Sequence, residues 1–437
     1  MQDLTFHTDH AWIDGVVVAD VLLDVVDGRF AAVTPGVPAP AGATRLPGLT
    51  LPGLANAHSH AFHRALRGRT QDDRGSFWTW RERMYRAAEA LDPETYHRLA
   101  RAVYAEMALA GITCVGEFHY LHHGAGGVPY EQPNAMGEAL IAAAGAAGIR
   151  ITLLDACYLT ATVDGAPLDG VQRRFGDRDA AAWAARVSEL KPAEHARVGA
   201  AVHSVRAVPV GQMPEVVAWA TARGAPLHAH LSEQRAENEA CAAFYGRSPT
   251  EVLDDAGALG PRTTVVHATH LSDTDRGELG DSSTAVCFCP TTERDLADGI
   301  GPARALVDGG SPLCLGSDSH AVIDLFEEMR AVELDERLAS QRRGHWSATD
   351  LLAAGLRHDS LGWDDAGAIA AGKRADLVTI ATDHVRTAGT GADERTVVFA
   401  AVAEDVVQVV ADGRVAFREG DREQLGRDLD DVMRGLW

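Results

Sequence analysis

Short, near-continuous apolar runs recur through the middle of the chain, and amphipathic or alanine-rich stretches separate them. The runs are TLPGLANAHSH, TCVGEFHY, RITLLDACY, RVGAAVHSV, APLHAHLSE, TTVVHATH, TAVCFCP and PLCLGSDSH. YHRLARAVYAEMALAG and MPEVVAWATARG are typical of the stretches between them. Strands that read apolar on both faces and alternate with helices predict a parallel sheet covered on both sides. Eight such units predict an α/β fold, a (β/α)8 TIM-type barrel, with the polar residues at the carboxyl ends of the strands, where barrel active sites lie. The flanks differ. VVVADVLLDVVDGRFAAVTPG near the start, and ADLVTIATDHV with TVVFAAVAEDVVQVVADGRVAF near the end, are β-branched runs punctuated by Asp-Gly turn signals. They predict a small β-sandwich built from both termini. The expected division is 1–50 for its N-terminal part, 51–364 for the barrel and 365–437 for its C-terminal part.

Composition narrows the class. The 437 residues carry a net charge of −22, which disfavours nucleic acid and anionic membranes, because both are held by cationic patches. No apolar run approaches the roughly 20 residues of a membrane span, and the first residues lack the features of a signal peptide. Six cysteines without a CxxC array suggest reduced thiols in a cytoplasmic protein. Cys287 and Cys289 read as members of a buried strand rather than ligands. The cationic residues are nearly all arginine, Lys191 and Lys373 being the only lysines.

The chemistry gathers at strand ends. Residues two apart on a strand face the same way, so His58 and His60 present two imidazoles to one side. The fifth strand ends with His228, His230 and Glu233, the sixth with His267 and His270, and the eighth with Asp318. Four strand ends carrying imidazole or carboxylate on one rim point to a metal, since nitrogen donors with one carboxylate suit a borderline divalent ion, most often zinc. Such an ion leaves room for a water whose pKa it lowers to about 7. The fourth strand ends AVHSVR, and neither lysine lies there to form a carbamylated bridge between two metals. Glu117 is the less favoured alternative bridge, so one ion is expected.

HxH on the first strand, His on the fifth and sixth and Asp on the eighth resemble the amidohydrolase superfamily in its mononuclear deaminase branch. HSHAFHRALRG, SFWTWRERMY, GEFHYLHH, HLSEQ, CPTTERDLADGI and GSDSH resemble, more narrowly, the segments of the formimidoylglutamate deiminase family, across about residues 50 to 340. The resemblance implies zinc held by His58, His60, His230 and Asp318. It implies catalytic roles for Glu233, His267 and Asp318, and substrate contacts from His63, Arg81, Tyr120, His203 and Arg206. The implied reaction is hydrolytic deimination of N-formimino-L-glutamate, a small dicarboxylate, in histidine breakdown; a homodimer is the implied assembly. His63 stands where that family usually has Gln, and ERDLADG and VELDERL drift from its wording at positions expected to be peripheral. His122 and His123 read as a solvated loop, and His228 as a buried structural residue. A deaminase of heterocyclic bases, or of another formimino-amino acid, is the nearest rival. A non-catalytic barrel is disfavoured because every expected position is filled.

Overall fold

The computed structural model describes residues 4–71 and 77–437. The strands in chain order are β1 Leu4–Ile13, β2 Val16–Val26, β3 Arg29–Thr34, β4 Thr44–Pro52, β5 Leu54–Ser59, β6 Ile112–His119, β7 Arg150–Cys157, β8 Ala196–Val202, β9 Leu227–Leu231, β10 Thr263–His267, β11 Ala285–Phe288, β12 Leu313–Leu315, β13 Leu377–Ile380, β14 Val406–Ala411 and β15 Arg414–Arg418.

β5 to β12 form one parallel sheet in sequence order. A parallel bridge between Ser59 and Asp318 brings the first strand against the last, so the sheet curls into a nearly closed barrel. The eight apolar runs of the sequence are these eight strands. β6 and β7 are buried at every position, as strands covered on both faces must be. Helices fill the crossovers where the pattern placed them. Pro93–Leu109 starts on an Asp92 cap whose side chain accepts from the Thr95 amide, and Met213–Arg223 ends on Gly224 at φ +57°.

The terminal segments meet in a second, seven-stranded mixed sheet, ordered β15-β14-β13-β4-β1-β2-β3. Three of its hairpins turn on Asp-Gly pairs in which both residues have positive φ: Asp14-Gly15 (+48°, +85°), Asp27-Gly28 (+50°, +75°) and Asp412-Gly413 (+47°, +72°). Two-residue turns of that hand match the twist of the strands they join. β4 is common to both halves of this sheet, parallel to β1 on one side and antiparallel to β13 on the other. After Gly53 the chain passes directly into β5.

One run departs from its expected form. TVVF was expected to be a strand and is instead in the helix Glu394–Phe399. Asp393 accepts from the amides of Arg395 and Thr396, and this cap starts a helical turn that buries Thr396, Val397 and Val398. Local capping and burial thus override β-branched propensity. Among the described residues, no helix is long and apolar enough to cross a membrane.

Candidate active site

The carboxyl rim of the barrel brings the strand-end residues together. His58 lies in β5 and His60 just past it, His230 lies in β9, His267 ends β10, and Asp318 follows β12. Gly316 makes the last approach feasible: a Cβ there would lie 2.7 Å from the His58 Cβ and 2.8 Å from its carbonyl oxygen. Without that side chain, the amides of Ser317 and Asp318 both donate to the His58 carbonyl, at 3.1 and 3.0 Å, and the His60 amide donates to the Asp318 carbonyl at 3.1 Å. His267 (φ +73°) and Asp318 (φ +40°) sit in the left-handed region, which costs a non-glycine residue about 1–3 kcal/mol and recurs at functional sites.

The side chains converge on one point. Nε2 of His58 is 3.1 Å from Nε2 of His230, and Asp318 Oδ1 lies 3.3 Å from Nε2 of both His58 and His60. Nδ1 of His60 is 2.9 Å from the Phe118 carbonyl, and Nδ1 of His230 is 2.9 Å from the His203 carbonyl. With the proton held on Nδ1, each ring turns an Nε2 lone pair inward. Burial, and after it the neighbouring imidazoles, hold His58 and His230 well below the ordinary histidine range; burial likewise lowers His60. Burial works against a charged Asp318, but His267, His60 and His230 outweigh it and keep the carboxylate ionised. Neutral inward-facing imidazoles around one carboxylate, with two ring nitrogens at hydrogen-bond distance from each other, form a donor set that fits a divalent cation.

Glu117 is no bridge for a second ion, because both its oxygens are taken. Ser59 Oγ donates to one at 2.6 Å and the Ala61 amide to the other at 2.7 Å, so it pins the turn that carries His58 and His60. A second group able to hold a metal, His119, His122 and Asp155, is likewise spent. Arg186 donates to both Asp155 oxygens, at 2.9 and 3.0 Å, and the Trp183 indole adds a third bond at 2.9 Å.

Above the cluster opens a cavity of about 400 Å³. Its walls include His63, Arg81, Tyr120, His203, Arg206, Glu233 and His267, with His60, His230 and Asp318 at its floor; His58 is fully buried beneath. Every residue given a metal, catalytic or substrate role in the sequence therefore stands in or directly under one cavity. His63 Nε2 is 2.8 Å from the Tyr120 hydroxyl, and Arg206 donates to the Tyr158 hydroxyl at 2.9 Å. His267 Nε2 lies 4.0 Å from Glu233 and 3.9 Å from Asp318 Oδ2. Burial would lower His267, but the carboxylates of Glu233, Glu293 and Asp318 outweigh it and raise it to about 10.

The sequence matches the amidohydrolase family over residues 49–416. The chain belongs to the amidohydrolase family. It is 36% identical over 413 residues to a formimidoylglutamate deiminase of Pseudomonas aeruginosa, covering 90% of each chain. Among solved structures, an amidohydrolase from Brucella melitensis superposes with a TM-score of 0.89 at 30% identity, covering 99% of each chain. An adenosine deaminase from Xanthomonas campestris with bound zinc superposes at 0.84 and 23% identity, covering 99% of this chain and 98% of that one.

In this amidohydrolase two readings of the sequence need correction. His122 and His123 are buried, not solvated: the His122 ring is 3.0 Å from the Ala156 carbonyl, and His123 is 3.4 Å from Asp177. ERDLADG is not peripheral, since Glu293 and Asp298 within it are buried beside His267 and Gln234. The aromatic wall of Trp80, Tyr85, Tyr158 and Phe175 also went unmarked. Only the Trp-rich wording of FWTWRERMY hinted at it. His228 is a buried structural residue, its ring 3.1 Å from the Ser360 carbonyl, and Cys287 and Cys289 are buried in the core.

Proposed function

We propose that this amidohydrolase is a formimidoylglutamate deiminase, converting N-formimino-L-glutamate and water to N-formyl-L-glutamate and ammonia with one zinc ion. The observation that carries the reading is the shared cavity: two arginines, Arg81 and Arg206, stand on the walls above a floor of metal donors. A planar guanidinium accepts a carboxylate in two parallel hydrogen bonds, and this substrate carries two carboxylates. The extent of similarity to the Pseudomonas aeruginosa enzyme supports the same reading.

His58, His60, His230 and Asp318 would hold the ion. When bound, a divalent ion lowers the pKa of a coordinated water to about 7 and so supplies the nucleophile. Asp318 turns its second oxygen toward the cavity and takes the proton of the attacking water. His267, charged because carboxylates face it, donates to the oxygen of the attacking water, holding it in line with the formimidoyl carbon, and keeps that bond as the oxygen becomes the formyl carbonyl. Glu233 is raised above the ordinary carboxylate range by burial, opposed by His267; it hands a proton to the nitrogen that leaves as ammonia. With the formimidoyl group bound as its cation, that one proton suffices: the C–N bond breaks as the carbonyl of the formyl group forms, and the hydroxyl proton returns to Glu233. Arg206 is oriented by Tyr158, and Tyr120 by His63, before substrate arrives. Six buried, unpaired cysteines accord with a reducing, cytoplasmic setting.

The aromatic wall favours one second reading, deamination of a heterocyclic base. Ammonia release by zinc-loaded protein separates the two, using N-formimino-L-glutamate, N-formimino-L-aspartate and a panel of purines and pyrimidines. Release from the glutamate compound alone supports the deiminase. Release only from a heterocycle would sink it and leave the metal site standing.

A further inference from the structure

β11 sends no side chain to the metal cluster, yet the segment after it reaches His267 directly and Glu233 through its neighbour Gln234. Glu293, in the short helix Pro290–Asp295, is buried and places Oε1 3.5 Å from Nδ1 of His267. The opposite nitrogen of that ring is the one that faces Glu233 and Asp318. Three residues past that helix, the carboxylate of buried Asp298 accepts a hydrogen bond from the side chain of Gln234, the neighbour of Glu233 and the cap of helix Arg235–Tyr245. The Asp298 carbonyl lies 2.8 Å from the His270 ring, and the His270 carbonyl accepts from Asn238 at 2.6 Å on that same helix. The loops after β9 and β10 are thus tied to one short stretch of chain.

We propose that Glu293 and Asp298 are positioning residues for the acid–base pair: Glu293 fixes the ring and tautomer of His267, and Asp298 fixes Gln234 and with it the adjacent Glu233. The proposal rests on the roles given to His267 and Glu233 under the deiminase reading. Glu293 also accepts from the Cys289 amide at 2.9 Å, closing the first turn of its own helix. A capping role alone needs one acceptor oxygen and no charge. At 3.5 Å Glu293 makes no hydrogen bond to the ring, whose Nδ1 is otherwise unpartnered among the described residues; what it offers His267 is its charge, which a cap does not require.

The two substitutions that keep shape are therefore the informative ones. Glu293→Gln retains the cap and removes the charge. It is expected to lower kcat on N-formimino-L-glutamate by about 10- to 100-fold, the loss typical of removing an outer partner of an active-site histidine, with KM within about twofold and melting temperature and zinc content unchanged. Glu293→Asp should recover part of the loss. Asp298→Ala and Gln234→Ala should each lower kcat by about tenfold, and the double variant no further than either alone, because they remove one interaction. In protein carrying 15N-labelled histidine, the Nδ1–H resonance of His267, assigned by its loss in His267→Asn, should move upfield in Glu293→Gln. That readout does not depend on turnover: a wild type inactive on the substrate defeats the deiminase reading, while the resonance still decides the bracing. An unmoved resonance, a kcat within twofold of wild type, or a loss matched by lower melting temperature overturns the proposal for Glu293. Additive effects of Gln234→Ala and Asp298→Ala overturn it for Asp298.

Discussion

The two ends of the barrel bury polar clusters of opposite character. At the amino end, Arg150 at the start of β7 donates to both oxygens of Asp376 and, at 3.0 Å, to Asp412; Arg374 donates to Asp412 at 2.7 Å. Arg150, Arg197 and Arg374 also lie over the ring of Trp363, at 5.1, 4.3 and 4.8 Å. Each cation there meets anions or a π face, so opposite charges are matched from within the chain even though Arg150 Nε is buried without a partner. At the carboxyl end, imidazole nitrogens face one another and one carboxylate across distances of 3.1–3.3 Å, and among the described residues no arginine or lysine is paired with that cluster. Burial of polar groups is common to both. What separates a structural cluster from a chemical one is whether the valences close among the residues themselves.

Breaking each end should show that difference, starting with the largest effect. Asp318→Asn removes a donor and the proton acceptor together, and should cut ammonia release by 10³-fold or more, on the order of the larger general-base effects, while zinc content by elemental analysis falls. Its melting temperature should change little beyond what loss of the ion explains. Arg150→Met does the opposite. It leaves Asp376 as an uncompensated buried charge, which costs about 3–5 kcal/mol, read by denaturant unfolding, with kcat per folded molecule within about twofold of wild type. Chelation of the metal should lower stability by about 2.7 kcal/mol relative to zinc at a hundredfold excess over its Kd; thermal melts with and without zinc check this, and re-addition should restore activity. Arg206→Lys swaps a planar fork for a point charge, and should raise KM for N-formimino-L-glutamate by about tenfold, or 1.4 kcal/mol, with kcat nearly kept. If Arg206→Lys left KM unchanged, the carboxylate end of the cavity would have to be sought at Arg81.

The same contrast explains what the sequence made legible. The strands were readable because a parallel barrel leaves its strands apolar on both faces, so HxH and GSDSH stood out against that background. The Asp-Gly hairpins were readable because their chemistry is local. Glu293 and Asp298 were not, since a carboxylate in a charged stretch such as ERDLADG resembles a solvated surface until the path of the loop is known. His122 and His123 were misread for a related reason. Arg174 comes from 51 positions away to donate to the His123 carbonyl, and Asp177 reaches the His123 ring. Arg150 and Asp376 are 226 residues apart, a pairing with no local signal at all.

β4 carries a consequence for how the protein comes to be made. It pairs with β1 early in the chain and with β13 only once Leu377–Ile380 exists, and β5, which holds His58 and leads into His60, hangs directly from its end. During synthesis, at about 5–20 residues per second, one edge of β4 therefore waits through the whole barrel for its neighbour, an interval of about 16–65 s at those rates. Sheet edges left open in this way invite pairing with other chains, and contacts so distant in sequence form slowly. Completion of the terminal sheet is thus a late step in maturation, and it is the step that anchors the strand bearing the first two metal donors.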